Sequence, residues 1–559
     1  MIPQFPRGTA VQSLAMQAVL AVLALGMLET AARAELFDLV VRGGRVVDGT
    51  GAPWYDADLG IRAGRIVFIG KIRSTGPARV VDARGLVVAP GFIDMMGQTA
   101  APFLTDPRSG DNLLSQGITT LNAGEGQSDA PLEGLAAQQA GWSTMGEYFQ
   151  RLEWAGLPMN VVQSVGHTQV RRIVLGEGDR QPTAEELERM RELVREAMEA
   201  GAIGLSTALI YPPAVYASTD ELVALARVAA EAGGTYFTHM RNEGDRLLEA
   251  IDEALAIGQA AAIPVHIFHL KAAGKANWPK LPQALARIEA ARAAGLQVTA
   301  DIYPYVHNGL GLESFIHPRH AARGPETLRR ALADPPFQAQ VRREMETEEG
   351  WENWFRHVGS DWDRVILSQI RAPAFADQAG QSLGAIAREA KKDPWEVFFE
   401  IVAAGASALP ESMAEANVIR AMRCDFVSFC TDMGPLGSAE VLLHPRGAGA
   451  FPRILGRYVR ELGVLSLEQA VARLTSVAAN DLKLYDRGRI SLGAAADLAI
   501  FDPLRVRDRS TFANPTATAE GIVHVIVNGQ VVIESGRPTG AAPGKVLRRA
   551  GTQTPNPPH

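Results

Sequence analysis

Cysteine is nearly missing from this chain: Cys424 and Cys430 are the two cysteines among 559 residues. Phe426-Val427-Ser428-Phe429 between them reads as strand, and six extended residues span about 20 Å, far beyond disulfide reach. The expectation is therefore two buried free thiols and no bridge. Lysine- or arginine-rich runs are also missing. The formal net charge is −7 and the pI about 6.0, so there is no basic footprint for nucleic acid. No apolar run reaches the ~20 residues that a bilayer span needs. No internal repeat and no low-complexity linker interrupts the chain.

What is present fits a soluble protein of more than one domain, with 47% apolar and 21% charged residues. At the N-terminus Arg7 precedes an apolar run, Ala15 to Leu28, followed by Ala32-Arg33-Ala34. This pattern predicts a Sec-type export signal over residues 1–34, cut after Ala34, and a periplasmic or secreted protein with no membrane contact once cut. A retained N-terminal anchor is the other reading.

Two β-rich stretches lie at opposite ends. One runs from Leu36 to Asp48 and continues through Val67-Phe68-Ile69 and Leu86-Val87-Val88. The other comprises Asp497 to Asp502 and Val525 to Val532. They predict one small β-sandwich domain built from residues 35–88 and 484–548. Between them strand-like and helix-like segments alternate, which argues for βα units. Eight strand candidates are 87–94, 118–123, 160–166, 203–207, 235–239, 264–269, 297–301 and 425–431. A helix from about Ala184 to Ala200 carries a capping box, Thr183 with Glu186, and Gly201 just past its end. The fold class expected is α/β: a (β/α)8 barrel over residues 89–483, with an insertion around 310–418 adding helices over the barrel mouth. Residues 549–559 read as a loose tail.

In such a barrel, chemistry sits at the C-terminal ends of the strands. Glu125 lies just beyond the second strand, His239 closes the fifth, His269 closes the sixth, and Asp432 follows the eighth. Two imidazoles and a carboxylate leave an open position on tetrahedral zinc, and a further acid can take a proton from bound water. Singly, each has another reading. A strand-end histidine can be structural, Glu125 a loop carboxylate, and Asp432 a helix cap. Their common rim favours the site. His266, three residues before His269, points by strand alternation to the other face and has no site role in this reading. Arg446, in His444-Pro445-Arg446-Gly447, can grip a carboxylate in bidentate fashion. Lys271 and Tyr303 lie near the same rim.

Several motifs carry a family resemblance. Pro90-Gly91-Phe92-Ile93-Asp94 resembles the first barrel strand of the amidohydrolase superfamily. Leu209-Ile210-Tyr211-Pro212-Pro213, the segment Thr238 to Gly244, Phe268-His269-Leu270-Lys271, Asp301-Ile302-Tyr303-Pro304-Tyr305 and the segment Phe451 to Gly456 resemble D-aminoacylases, the N-acyl-D-amino-acid deacylases. The likeness covers nearly all of the chain after residue 34. It implies zinc on His239 and His269, Asp432 as catalytic acid and base, and Lys271, Tyr303 and Arg446 around a small N-acyl amino acid. Two departures stand out. Met96 and Gln98 occupy the places of the family's first-strand His-x-His. Glu125 stands where the family has a cysteine, if Gly126 matches the glycine that follows it. N-acetylglucosamine-6-phosphate deacetylases are similar in holding one metal by Glu, His and His.

A mononuclear zinc site of Glu125, His239 and His269 is thus expected. Gln98 would orient water or the scissile carbonyl, or merely pack the loop; Met96 reads as packing. The reaction expected is hydrolysis of the amide of an N-acyl-(D-)amino acid. The alternatives are a hydantoinase- or dipeptidase-like hydrolase of cyclic amides or dipeptides, and a barrel that binds a small ligand without turnover.

Overall fold

The computed structural model describes Met1 and residues 37–323, 325–436 and 443–549. The expected export signal, Met1 apart, and the tail from residue 550 lie outside the described residues. No helix among the described residues is long and apolar enough to cross a membrane.

Eight parallel strands surround the central core. They are β1 (Phe92–Asp94), β2 (Ile118–Ala123), β3 (Asn160–Gln163 and Val165–Gly166), β4 (Gly204–Ala208), β5 (Thr235–His239), β6 (Val265–Ile267), β7 (Val298–Ile302) and β8 (Val427–Phe429). Each pairs in parallel with the next from β1 to the first part of β3, and from the second part of β3 to β8. Where β3 breaks, backbone bonds carry the register across: Ile203 N–H donates to Gln163 O at 2.9 Å. At the last seam Met95 N–H donates to Phe429 O at 3.3 Å, and Asp432 N–H to Met96 O at 3.0 Å. The strands are buried almost throughout, as expected when helices cover one face and a packed interior fills the other. The helix Ala184–Glu199 forms with both arms of its capping box, and turns Met190, Leu193, Val194 and Ala197 inward at the spacing of one helical face.

The first expected strand is two. Val87–Pro90 pairs antiparallel with Leu498–Phe501, in the sheet of the chain ends, and β1 begins after Gly91. Gly91 is needed at that switch because a Cβ there would meet Thr119 Oγ1 at 2.1 Å. The sheet of the chain ends has nine strands, with Leu498–Phe501 and Val87–Pro90 side by side in the middle of its path, strands of the late chain on one flank and of the early chain on the other. Leu39–Val46 forks: its first half pairs with Arg79–Asp82 and its second with Val87–Pro90. It is one hydrogen-bonded network, and its two limbs share one apolar core that includes Leu59, Val88, Leu498 and Ile526.

Between β7 and β8 the chain builds a separate apolar core, with Trp354, Trp362, Phe398 and Leu367 at its centre. Helices are present there, Pro335–Thr347, Leu383–Ala390 and Pro394–Ala404. They pack with a three-stranded antiparallel sheet of Leu310–Gly311, Ala406–Pro410 and Val365–Ile370, which helical patterning alone did not anticipate.

Both thiols are free. Cys430 is buried as expected, whereas Cys424 is half-buried. It follows the helix Glu415–Met422 in a turn, and the strand between the cysteines shrinks to Val427–Phe429.

Candidate metal centre

Glu125, His239 and His269 converge. One donor atom from each lies within 4.8 Å of the other two, the one such group among the described residues. Glu125 Oε1 lies 2.8 Å from His239 Nδ1 and 3.1 Å from His269 Nε2. The two imidazoles stand nearly perpendicular, ring centres 4.4 Å apart. Burial pushes the Glu125 carboxyl up, but the hydrogen bonds from both imidazoles outweigh it and hold it well below its usual range.

Local backbone explains the placement. Gly124 and Gly126 flank Glu125 with φ of +97° and +66°. A Cβ on Gly126 would meet Ala208 N at 2.5 Å, so the turn brings its backbone against the end of β4. His269 itself has φ +34°, Gln98 +60° and Asp432 +51°, sparsely populated values for residues with a side chain. His269 is held there by its N–H, which donates to Asp301 Oδ1 at 2.7 Å. Asp301 is held in turn by His266, whose Nε2 lies 2.8 Å from Oδ2. His266 points away from the cavity, as alternation required, yet it braces the residue that fixes His269.

Asp432 faces the same space. Its Oδ1 accepts from Gln98 Nε2 at 2.8 Å, and its Oδ2 lies 2.6 Å from Arg446 Nη1. Gln98 Nε2 donates to Glu125 Oε2 as well, at 2.8 Å. Burial pushes the Asp432 carboxyl up against the pull of Arg446. Arg446 is buried, with its guanidinium 4.5 Å above the Tyr303 ring. The Tyr303 hydroxyl and Arg446 Nε have no hydrogen-bond partner among the described residues. Lys271 lines the cavity with its ammonium turned to Glu243 Oε1 at 2.6 Å and His269 Nδ1 at 2.7 Å. Met96 is buried in the barrel core.

These residues line a cavity of about 340 Å3, closed on the insertion side by Leu310 and Trp354. A larger cleft of about 960 Å3 shares Tyr211 and Trp354 with it. Sequence reasoning missed three buried acids around the site. Asp94 accepts from Thr431 N–H at 2.9 Å and ties β1 to β8; burial pushes its carboxyl up to about 8. Asp301 braces His269. Glu243 sits behind both imidazoles, and its signal was its place in Thr238-His239-Met240-Arg241-Asn242-Glu243, four residues after a ligand candidate.

The sequence pattern of the amidohydrolase family matches residues 79–334 and 376–533. N-acyl-D-glutamate deacylase of Alcaligenes xylosoxydans xylosoxydans is 36% identical over 525 residues, 92% of this chain and 97% of that one. The chain belongs to the amidohydrolase family, among the D-aminoacylases. Solved structures of the family agree with the fold. N-acyl-D-glutamate deacylase from Bordetella bronchiseptica, complexed with zinc and a phosphonate mimic of the tetrahedral intermediate, superimposes with a TM-score of 0.77. It is 34% identical, over 92% of this chain and all of that one. A D-aminoacylase structure that addresses a binuclear metal centre, with one-metal activation and second-metal attenuation, gives 0.76 at 33% identity, over 92% of this chain and all of that one.

Proposed function

We propose that this protein hydrolyses the amide bond of N-acyl amino acids, of D configuration, or of closely related small N-acyl compounds, with one zinc ion on Glu125, His239 and His269. The observation that carries the reading is the meeting of one carboxylate oxygen with two imidazole nitrogens at the wall of the cavity. Two imidazoles and one carboxylate suit a catalytic zinc, with a fourth position left open. Zinc bound there would polarise the substrate carbonyl and make water acidic enough to attack near neutral pH.

The remaining steps belong to the protein. Asp432 receives the proton of the attacking water and returns it to the leaving nitrogen, so one carboxylate serves as base and then acid. Gln98 and Arg446 hold its two oxygens apart and aimed. Arg446 Nε and the Tyr303 hydroxyl, both without a partner among the described residues, take the substrate carboxylate. Lys271 lines the same wall, but its ammonium is paired with Glu243. Met96 and Gln98 supply no imidazole after β1, which supports a one-ion site: Gln98 instead links Glu125 to Asp432 through its amide.

Metal analysis of the purified protein, followed by a panel of N-acetyl-D- and N-acetyl-L-amino acids with and without added zinc, tests the reading. One zinc per chain and zinc-dependent release of the free D-amino acid are expected. Zinc binding without turnover of any member would leave only a ligand-binding barrel. We further propose that the protein works outside the cytoplasm, on the strength of Arg7, the apolar run to Leu28 and Ala32-Arg33-Ala34. Sequencing of the mature N-terminus tests this: a start at Glu35 is expected.

A further inference from the structure

One buried carboxylate faces the outer nitrogen of both imidazoles. Glu243 Oε1 lies 3.0 Å from His269 Nδ1, and Glu243 Oε2 lies 3.7 Å from His239 Nε2. The nitrogens on the opposite sides of the rings, His269 Nε2 and His239 Nδ1, are the pair that meets Glu125. His239 Nε2 and Glu243 Oε2 are both buried, and neither has a hydrogen-bond partner among the described residues. They are therefore each other's nearest available complement, separated by a gap that a shift of about half an ångström closes to hydrogen-bond length.

A nitrogen can ligate a metal only while it carries no proton, so each imidazole must keep its single proton on the outer nitrogen. The neutral His269 that a metal requires has two arrangements. If Lys271 donates to Nδ1, the ring proton sits on Nε2 and blocks ligation. If Nδ1–H donates to Glu243 Oε1, Nε2 is free; Lys271 Nζ, 2.7 Å from Nδ1 here, then draws back from that nitrogen and keeps its bond to Glu243 Oε1 at 2.6 Å. The second alone frees Nε2 for an ion while Lys271 and Glu243 stay paired.

We propose that Glu243 is the positioning residue of the metal centre: one carboxylate accepts from Nδ1–H of His269 and Nε2–H of His239, fixing the tautomer and tilt of both ligands, with Lys271 balancing its charge. This rests on the reading that Glu125, His239 and His269 hold an ion, and on nothing about the substrate. A histidine ligand ordinarily has its own outer partner. Here two share one, so a single substitution acts on both.

Zinc alone and cobalt(II) alone are the probes. Zinc affinity, read by competition with a chromophoric chelator, falls 10- to 100-fold in Glu243→Gln. An affinity equal to wild type overturns the proposal. Cobalt-loaded wild type needs no variant to fold: its proton spectrum in water should hold two strongly shifted resonances that vanish in D2O, one per outer imidazole N–H. In Glu243→Gln these move or broaden. Their absence from wild type overturns the proposal equally. The amide-hydrolase reading fails on a different result, a zinc-loaded wild type inert toward every N-acyl amino acid, and that result leaves the zinc and cobalt measurements free to decide on Glu243.

Discussion

Gln98 Nε2 lies 2.8 Å from Asp432 Oδ1, although 334 positions separate the two in sequence. The same amide nitrogen reaches Glu125 Oε2, so a neutral side chain on β1's trailing loop couples the acid to a ligand. Replacing Gln98 by Ala removes a hydrogen bond to each carboxylate. Hydrogen bonds to charged groups contribute about 1.5–3 kcal/mol, so kcat should fall roughly 10- to 150-fold while zinc content stays at wild-type level. Steady-state kinetics beside metal analysis checks both halves.

Asp432→Asn keeps shape and loses the proton acceptor. Turnover should drop by about 10²- to 10⁴-fold, with zinc still bound, because Asp432 is not among the three converging donors. Loss of zinc together with activity would make Asp432 a ligand instead.

Glu125→Ala should release the ion. Zinc content after gel filtration is expected to fall far below one per chain, since two imidazoles alone leave the site one donor short. Unchanged zinc content would break the assignment of Glu125.

Arg446→Ala removes both the cation over Tyr303 and the partner of Asp432 Oδ2. KM for an N-acetyl amino acid should rise strongly, and kcat should fall too, because the Asp432 charge is left buried without its partner. An N-acetyl amine lacking the carboxylate should show the kcat loss without the KM rise. An unchanged KM for the carboxylate substrate would remove the binding role.

Gly126→Ala tests the turn that presents Glu125. With φ at +66° and Ala208 N at 2.5 Å from the new Cβ, the loop must move, at a cost of about 1–3 kcal/mol. A lower denaturant midpoint and weaker zinc binding are expected together.

The rim of the barrel was readable because chain order and strand ends alone decide it: His239, His269 and Asp432 each follow a short buried run, and parallel strands bring such ends together. Glu125 was readable from its place just beyond the second strand and from Gly126 after it. The break at Gly91 was not, because the apolar residues on both sides of Pro90-Gly91 read together as one strand, and the close approach of Thr119 that divides them is a tertiary contact. The partner of Gln98 lay hidden for a different reason. An amide gives no pattern of its own, and its two acceptors come from distant strands. Glu243 was hidden by its neighbours: beside Arg241 and Asn242 it reads as a solvated charge, yet it is wholly buried. The sheet within the insertion escaped notice because its strands are separated by helices and pair antiparallel across about 95 residues, from Leu310–Gly311 to Ala406–Pro410.

Strand Val87–Pro90 leads straight into β1, and its other edge is covered by Leu498–Phe501, some 400 residues later. During synthesis the segment that launches the barrel therefore waits with a naked backbone edge until almost the whole polypeptide exists. A chain shortened before residue 498 would leave that ribbon of unpaired amides and carbonyls open to any passing strand. Loss of the far end should thus be felt first as clumping, well before any change at the metal.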